Sequence, residues 1–120
     1  MSESQSLGQK GEAFAAEYLQ KKGFKIRHRN WKSGKHEVDI VAENKDLIVF
    51  VEVKTRSEDL VDARDLVSRD KQRSIVFVAD TYLRRYGLEK ESRFDVIVLI
   101  NEGDKFRINH IEDAFYPTLR

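Results

Sequence analysis

The chain carries two neighbouring runs that decide its fold, HEVDIVA at residues 36–42 and LIVFVEVK at residues 47–54. Both have the length and composition of β-strands, and the polar residues 43–46 between them predict a turn. The second run is apolar on both faces for most of its length, which is typical of a central strand covered on both sides. It nevertheless ends in Glu52-Val53-Lys54, so charged side chains are predicted at one end of a buried sheet.

Acidic and basic side chains are expected to meet at that end because side chains alternate along a strand. Glu52 and Lys54 then share a face, as do Glu37 and Asp39 on the neighbouring strand. Buried charges are costly unless they are paired or bound to a metal. A nuclease metal site would explain the cost. The structural alternative is a buried ion pair between Glu52 and Lys54 without metal, which leaves Glu37 and Asp39 unexplained.

Composition bounds the class of protein. The length of 120 residues predicts one domain, residues 1–120, with a single core. The chain has no cysteine, which excludes disulfides, thiol catalysis and zinc–thiolate sites and is compatible with the cytoplasm, where we expect the protein. Residues 1–5 lack the form of a secretion signal, and no apolar run is long enough to span a membrane. A net charge of +1 gives the whole protein little attraction for nucleic acid.

The order of predicted elements is helix, three strands, helix, two strands. Ser6 and Gln9 form a potential capping box for the first helix, and Ser68 is the expected N-cap of the second. The predicted helices cover residues 6–22 and 69–86; the predicted strands cover residues 24–31, 36–42, 47–54, 93–100 and 105–111. Residues 55–66 show no clear periodicity of apolar residues, which predicts a mobile loop. Residues 112–120 are predicted to be a short tail. This order indicates an α/β domain in which three strands form a meander and the second helix is a crossover.

Residues 21–36 contain seven basic residues, Trp31 and no acid. A basic run with an aromatic could track a phosphate backbone, and a solvated edge strand is the alternative. Lys71 and Arg73 lie near the start of the second helix, where the helix dipole does not favour cations, so contact with phosphate would suit them better than an exposed helix surface. The candidate nucleic-acid-binding residues are Arg27, Arg29, Lys32, Lys35, Arg56, Lys71 and Arg73.

The carboxylate cluster has the groups that phosphodiester hydrolysis requires. One or two Mg²⁺ (or Mn²⁺) ions can supply a hydroxide-like nucleophile and neutralise the scissile phosphate. Mg²⁺ prefers oxygen ligands and usually takes one or two protein carboxylates, so Asp39 and Glu52 fit, with the carbonyl of Val53 as a further ligand. Lys54 can stabilise the developing charge, and Glu37 can assist the metal or accept a proton.

The runs Asp39-Ile40-Val41-Ala42 and Val51-Glu52-Val53-Lys54-Thr55-Arg56 resemble the PD-(D/E)XK restriction-endonuclease-like superfamily. Within it, the chain resembles archaeal-type Holliday-junction resolvases and, more closely, the YraN-like family of predicted endonucleases. The resemblance extends in order through most of the chain, including Gly11-Glu12, Asn30-Trp31, Lys71 and Arg93-Phe94-Asp95-Val96. It implies a restriction-endonuclease-like mixed β-sheet flanked by helices. It also implies that Asp39, Glu52 and Lys54 take the positions of the superfamily's catalytic triad and that Glu12 belongs to the site. The helix pattern alone predicts that Glu12 is a surface residue.

The resemblance implies a function and leaves alternatives open. Val38 stands where the superfamily name has proline, His36 stands where a glycine is expected, and residues 57–67 lack the expected glycine and proline. None of these departures removes a predicted metal ligand. We expect a metal-dependent endonuclease acting on DNA, selective for a junction or flap, with a homodimer and a repair or recombination protein as candidate partners and no membrane. The alternative is a non-catalytic nucleic-acid-binding or partner-binding module that keeps the nuclease fold.

Overall fold

The first three strands form an antiparallel meander that starts at one sheet edge and ends at the sheet centre. The computed structural model describes residues 6–57 and 67–117. The five strands are β1 (Lys25–Ser33), β2 (His36–Glu43), β3 (Leu47–Arg56), β4 (Glu91–Glu102) and β5 (Lys105–Phe115), and they lie in that order across one sheet. Only β3 and β4 pair in parallel, because the chain crosses over between them. The predicted mixed α/β sheet with a meander and a crossover is confirmed.

Two helices flank the sheet. Helix α1 spans Leu7–Lys21, and its N-cap Ser6 forms the predicted capping box with Gln9. Helix α2 spans Arg69–Arg85, and the hydroxyl of its N-cap Ser68 accepts a hydrogen bond from the backbone N–H of Lys71. The capping side chains satisfy backbone donors that a helix start leaves without partners, which is why both helices begin at a serine.

A separate apolar cluster lies on each face of the sheet. On the α1 side, Ala15 and Leu19 of the helix pack on Ile40, Val51 and Leu99. On the α2 side, Ile75, Val78 and Tyr82 pack on a larger set that includes Trp31, Val38, Val41, Phe50, Phe94, Val96 and Val98. Strand β3 contributes to both clusters, as its continuous apolar sequence predicts.

Several strand ends differ from the sequence prediction, and β4 is longer than predicted by two residues at each end. Strand β1 continues to Ser33, so the turn to β2 is shorter than expected. Thr55 and Arg56, predicted as loop, pair with Leu99 and Ile100 in the parallel ladder with β4. Strand β5 extends through Phe115 into the predicted tail, because a register shift opposite β4 lets Phe115 stack on Phe94 at 5.3 Å between ring centres. Residues 58–66 of the predicted mobile loop lie outside the described residues.

No helix in residues 6–57 and 67–117 is both long enough and apolar enough to cross a membrane.

Candidate active site

The site is built where strands β2 and β3 stop pairing with each other. Their ladder runs from Glu43 opposite Ile48 to Ile40 opposite Val51. In the same register the next pair would be Asp39 and Glu52. Instead, the backbone N–H of Val53 donates to Oδ2 of Asp39 at 2.8 Å. A side-chain carboxylate thus takes the place of a strand–strand hydrogen bond, and the two strands separate around it.

Strict alternation of side chains ends at Asp39. Val38 packs in the cluster on the α2 side and Ile40 in the cluster on the α1 side, although they are two residues apart. Asn30 lies opposite Asp39 on β1, between the pairs Arg29–Ile40 and Trp31–Val38, and has a φ of 53°. Side-chain alternation therefore cannot be counted through Asp39, and the shared face of Glu37 and Asp39 stays a prediction.

Glu52 is held at the centre of the site by two lysines. Its Oε2 lies 3.3 Å from Nζ of Lys54 and 3.9 Å from Nζ of Lys71, which reaches in from the first turn of α2. The Glu52 side chain is only 5% exposed. Its other oxygen, Oε1, is buried and has no hydrogen-bond donor among the described residues. A buried oxygen without a donor is costly, so this arrangement calls for a further cation or donor.

The two central carboxyl groups both have raised pKa values. Burial, followed by the charge of Asp39, raises the pKa of Glu52 to about 7, and the two lysines oppose the shift only in part. Burial also raises the pKa of Asp39 and outweighs the opposing hydrogen bond that the backbone N–H of Val53 donates to it. Neighbouring carboxyls whose pKa values are raised in this way are a recognised feature of functional sites.

Two further carboxylates approach from the α1 side. Burial, followed by the charge of Asp39, raises the pKa of Glu12, and Glu37 contributes in the same direction. Asn30 and Arg29 act against this shift: Asn30 hydrogen bonds to Glu12, and Nη2 of Arg29 lies 4.0 Å from Oε1 of Glu12. The structure therefore brings Glu12, Glu37, Asp39, Glu52 and Lys54 into one neighbourhood at the opening between β2 and β3.

Gly11 allows α1 to approach this neighbourhood. A Cβ atom at this position would collide with Oγ1 of Thr55 on β3 and lie 3.2 Å from Cδ1 of Leu99. The helix can lie directly against the end of β3 because no side chain separates them, which brings Glu12 next to the carboxylates.

The seven candidate nucleic-acid-binding residues do not form one group. Arg29 and Lys71 lie at the site, because Arg29 is close to Glu12 and Lys71 is close to Glu52. Lys32, Lys35 and Arg56 are exposed, and Arg73 is exposed and paired with Asp70 at 2.6 Å. Arg27 lies at the opposite end of β2, where it donates to the hydroxyl of Tyr82 at 2.8 Å and pairs with Glu43.

Two contributions to the site do not follow from sequence reasoning. Asn30 is singled out only by the family resemblance, and no local pattern predicts its positive φ or its bond to Glu12. The sequence predicts that Lys71 faces phosphate, yet it pairs with Glu52. A signal for this pairing is present, because Lys71 lies four residues before the buried Ile75 and so occupies the inward face of α2.

The only other buried charged side chain in the described part of the chain provides a contrast. Asp95 is fully buried, as Glu52 nearly is. Arg93 donates to both of its oxygens, His110 bonds to one, and the N–H of Asp113 donates to the other. Burial alone would raise the pKa of Asp95, but these hydrogen bonds lower it. Asp95 is thus a satisfied structural carboxylate, whereas Glu52 is not.

The donor set fits a hard divalent cation bound by few protein ligands. Within residues 6–57 and 67–117, no group of three or more His, Cys, Asp or Glu side chains is arranged to hold a metal. Asp39 and Glu52 supply two carboxylates, and Oε1 of Glu52 has no competing donor there. Mg²⁺ commonly takes one or two carboxylates and keeps several waters, so two ligands are sufficient for it. The carbonyl of Val53 remains a predicted ligand.

Comparison with known proteins places the chain in a family. Residues 11–99 match the model of the family described as "Uncharacterised protein family UPF0102". The chain belongs to the UPF0102 family. It is 45% identical over 120 residues to a UPF0102 protein of Phocaeicola vulgatus, covering 99% of each chain. It is 42% identical to a UPF0102 protein of Flavobacterium psychrophilum, covering 97% of this chain and 98% of the other. The resemblance to the YraN-like family is thereby confirmed.

A solved structure confirms the fold of this UPF0102 chain. Hjc of Archaeoglobus fulgidus, a Holliday junction resolvase, matches with a TM-score of 0.50 and 22% sequence identity, covering 91% of this chain and 86% of the resolvase. The mixed five-stranded sheet with its flanking helices is therefore the restriction-endonuclease-like fold. At this identity the likeness concerns the fold, since one fold supports many functions.

Proposed function

We propose that this protein is a divalent-metal-dependent endonuclease that hydrolyses phosphodiester bonds in DNA. The observation that carries the proposal is the buried Glu52, whose Oε1 has no donor among the described residues and whose pKa is raised together with that of Asp39. A buried charged group without a full set of partners is costly, and Asp95 shows that this sheet can hold a buried carboxylate whose two oxygens are both hydrogen-bonded. The likeness of the fold to that of a Holliday junction resolvase supports the proposal.

Asp39 and Glu52 would hold the cation between the separated ends of β2 and β3. When bound, Mg²⁺ or Mn²⁺ would lower the pKa of a coordinated water and neutralise charge on the scissile phosphate. Fixing Asp39 through the N–H of Val53 orients its carboxylate before any ligand arrives. Such preorganisation matters because a ligand that is already placed need not be reoriented when the cation binds.

The remaining side chains would act on the substrate and its protons. Lys54, 3.3 Å from Oε2 of Glu52, would be free to stabilise negative charge on a phosphate oxygen once a cation neutralises Glu52. Glu12 has a raised pKa, which makes its carboxylate a stronger base, and it lies on the α1 side of the opening, so it could accept a proton from an attacking water. Glu37, on the same side, would add negative charge that favours this transfer.

A cleavage panel tests the proposal directly. The full chain would be incubated with Mg²⁺ or Mn²⁺ and single-stranded, duplex, flap and four-way junction DNA. We expect metal-dependent cleavage of at least one substrate. We also expect Glu52→Gln and Lys54→Met to lower its rate by about 100-fold or more, the loss usual for a group that stabilises developing charge. Glu102→Gln is the matched control, because Glu102 is an exposed glutamate paired with Arg107 away from the opening.

Thermal melting separates this proposal from the alternative of a non-catalytic module. A cation that binds only the folded state raises the melting temperature. Mg²⁺ or Mn²⁺ should therefore stabilise the wild type and Glu102→Gln but not Glu52→Gln. If no substrate is cut and neither cation raises the wild-type melting temperature, the fold serves binding alone. If Glu52→Gln fails to fold, the ion pair with Lys54 is structural.

A further inference from the structure

A cleft runs along the side of α2 that faces β4 and the end of β5. Its volume is about 570 Å³. Helix α2 lines it with Arg69, Arg73 and Phe77, and Phe94 and Tyr116 line the facing wall. This size lies within the range of small-ligand sites, which is about 300–1,000 Å³.

Two of the three aromatic side chains that line the cleft are open to solvent. The exposed fraction is 50% for Phe77 and 68% for Tyr116. Phe77 is held from the β2 side, since its ring centre lies 4.9 Å from that of His36 and His36 hydrogen bonds to Oγ of Ser74 at 2.8 Å. A glycine at position 36, which the family resemblance led us to expect, would leave Phe77 without this neighbour.

Cationic side chains lie between the cleft and the carboxylates. Arg69 and Arg73 line the cleft and are exposed, although Arg73 also pairs with Asp70. Lys71 lies between them in sequence and turns to the other side of α2, where its Nζ is 3.9 Å from Glu52. The width of one helix, about 10 Å, thus separates the cleft from the candidate active site. Asp80 lies farther along the cleft and pairs with Arg84 at 2.6 Å.

We propose that this cleft binds an unpaired nucleotide of single-stranded nucleic acid next to the phosphate at Asp39 and Glu52. The base would stack on Phe77, with Tyr116 on the facing wall, and the backbone would pass the start of α2 along Arg69, Lys71 and Arg73. Exposed aromatics beside cations are the usual platform for single strands, because every base offers a π-face and every nucleotide a negative charge. A base inside a duplex is stacked on both faces and cannot enter such a cleft.

The inference rests on the proposed function and narrows its substrate class. A strand with unpaired nucleotides, such as a flap or an open branch point, could occupy the cleft and the site together. Continuous duplex DNA could contact only Arg69, Lys71 and Arg73 and the opening between β2 and β3. The protein should therefore bind single strands and flaps more tightly than duplex of the same length and charge.

Fluorescence anisotropy in EDTA tests the cleft without depending on cleavage. The probes are a labelled single-stranded 16-mer, its blunt duplex and a flap of the same sequence. We expect Phe77→Leu to weaken binding of the single strand and the flap by about 5- to 100-fold, the usual loss for one stacked base, and duplex binding by less than about twofold. His36→Ala should weaken single-strand binding in the same direction but by less. Phe77→Tyr should retain wild-type affinity.

Phe14→Leu is the matched control, because Phe14 is a comparably exposed phenylalanine on α1 that packs against Phe106 on the other side of the sheet. Equal loss of single-strand and duplex binding in Phe77→Leu would overturn the inference, as would no loss in either. Failure to bind any single strand would also overturn it. Suppose that Phe77→Leu selectively loses single-strand and flap binding in EDTA while the wild type cleaves no substrate in Mg²⁺. That result would support the cleft and refute the nuclease, so the two proposals fail separately.

Discussion

At the scale of single residues, the structure distinguishes two buried carboxylates by their partners. Asp95 accepts hydrogen bonds from two side chains and a backbone N–H, and its pKa is lowered. Glu52 has two lysines near one oxygen and no donor from the described residues at the other, and its pKa rises to about 7. Two carboxylates with a similar degree of burial therefore differ in which form, charged or neutral, their surroundings favour.

The raised pKa of Glu52 predicts how the stability of the metal-free protein depends on pH. Between the ordinary value of 4.5 and about 7, the folded protein keeps a proton on Glu52 that the unfolded chain has released. Raising the pH through this window should lower the free energy of unfolding by up to about 3 kcal/mol, with no further loss above it. In Glu52→Gln this contribution disappears, so the variant should match or exceed the wild type at pH 8.

Urea denaturation in EDTA at pH 5 and pH 8 measures the effect. The quantity that matters is the difference between wild type and Glu52→Gln, because the groups that do not interact with Glu52 titrate equally in both. A variant that loses as much stability as the wild type over this range would show that Glu52 does not carry the shift.

At the scale of elements, the contact between α1 and β3 depends on the absence of a side chain at position 11. Because a Cβ there would collide with Thr55, we expect Gly11→Ala to reduce the free energy of unfolding by about 1–3 kcal/mol, as overpacking commonly does. Gly8 offers a matched control, since its Cβ would meet nothing closer than 3.8 Å. Gly8→Ala should stabilise the helix by about 0.5–1 kcal/mol.

A double-variant cycle with Thr55→Ala isolates the cause. Removing Oγ1 of Thr55 takes away the atom that the new Cβ would meet, so Gly11→Ala should cost clearly less in that background. Additive costs in urea denaturation would mean that the helix itself, and not its approach to β3, resists the change.

Much of each element could be predicted from local sequence, but the details that build the site could not. The capping box at Ser6 and the N-cap at Ser68 follow from side-chain chemistry within one turn, and the structure has both. The twist at Asn30 and Asp39, however, depends on pairing between β1 and β2 and on the point where β2 leaves β3. The extension of β5 likewise depends on Phe94, a residue of another strand.

At the scale of the whole molecule, charge is balanced and attraction for DNA must be local. There are 22 basic and 21 acidic residues, which leaves a net charge of +1. Arg27 lies apart from the site in contact with Glu43 and Tyr82 and is the weakest of the predicted phosphate contacts. The hairpin of β1 and β2 exposes Lys32 and Lys35 near Glu37 and is the stronger candidate.

The salt dependence of DNA binding should reveal these two lysines. Removing one phosphate contact lowers the slope of log affinity against log salt by about 0.9 for duplex DNA. Lys32→Ala combined with Lys35→Ala should therefore reduce the slope by about 2. The control is Lys25→Ala combined with Lys45→Ala, which removes the same charge from exposed lysines at the Glu43 end of the hairpins. Equal slopes for the two double variants would mean that Lys32 and Lys35 do not contact phosphate and serve only the solubility of the protein.

The hydrogen bond from Val53 to Asp39 bears on how genetic data for this family should be read. An allele encoding Asp39→Ala would change two unrelated things at once, because it removes a candidate ligand and also the acceptor that closes the gap between β2 and β3. Asp39→Asn is the more informative allele, since its amide oxygen can still accept the Val53 N–H while the negative charge is gone. A null phenotype from alanine at this position is evidence about folding and chemistry together, and only the asparagine allele separates them.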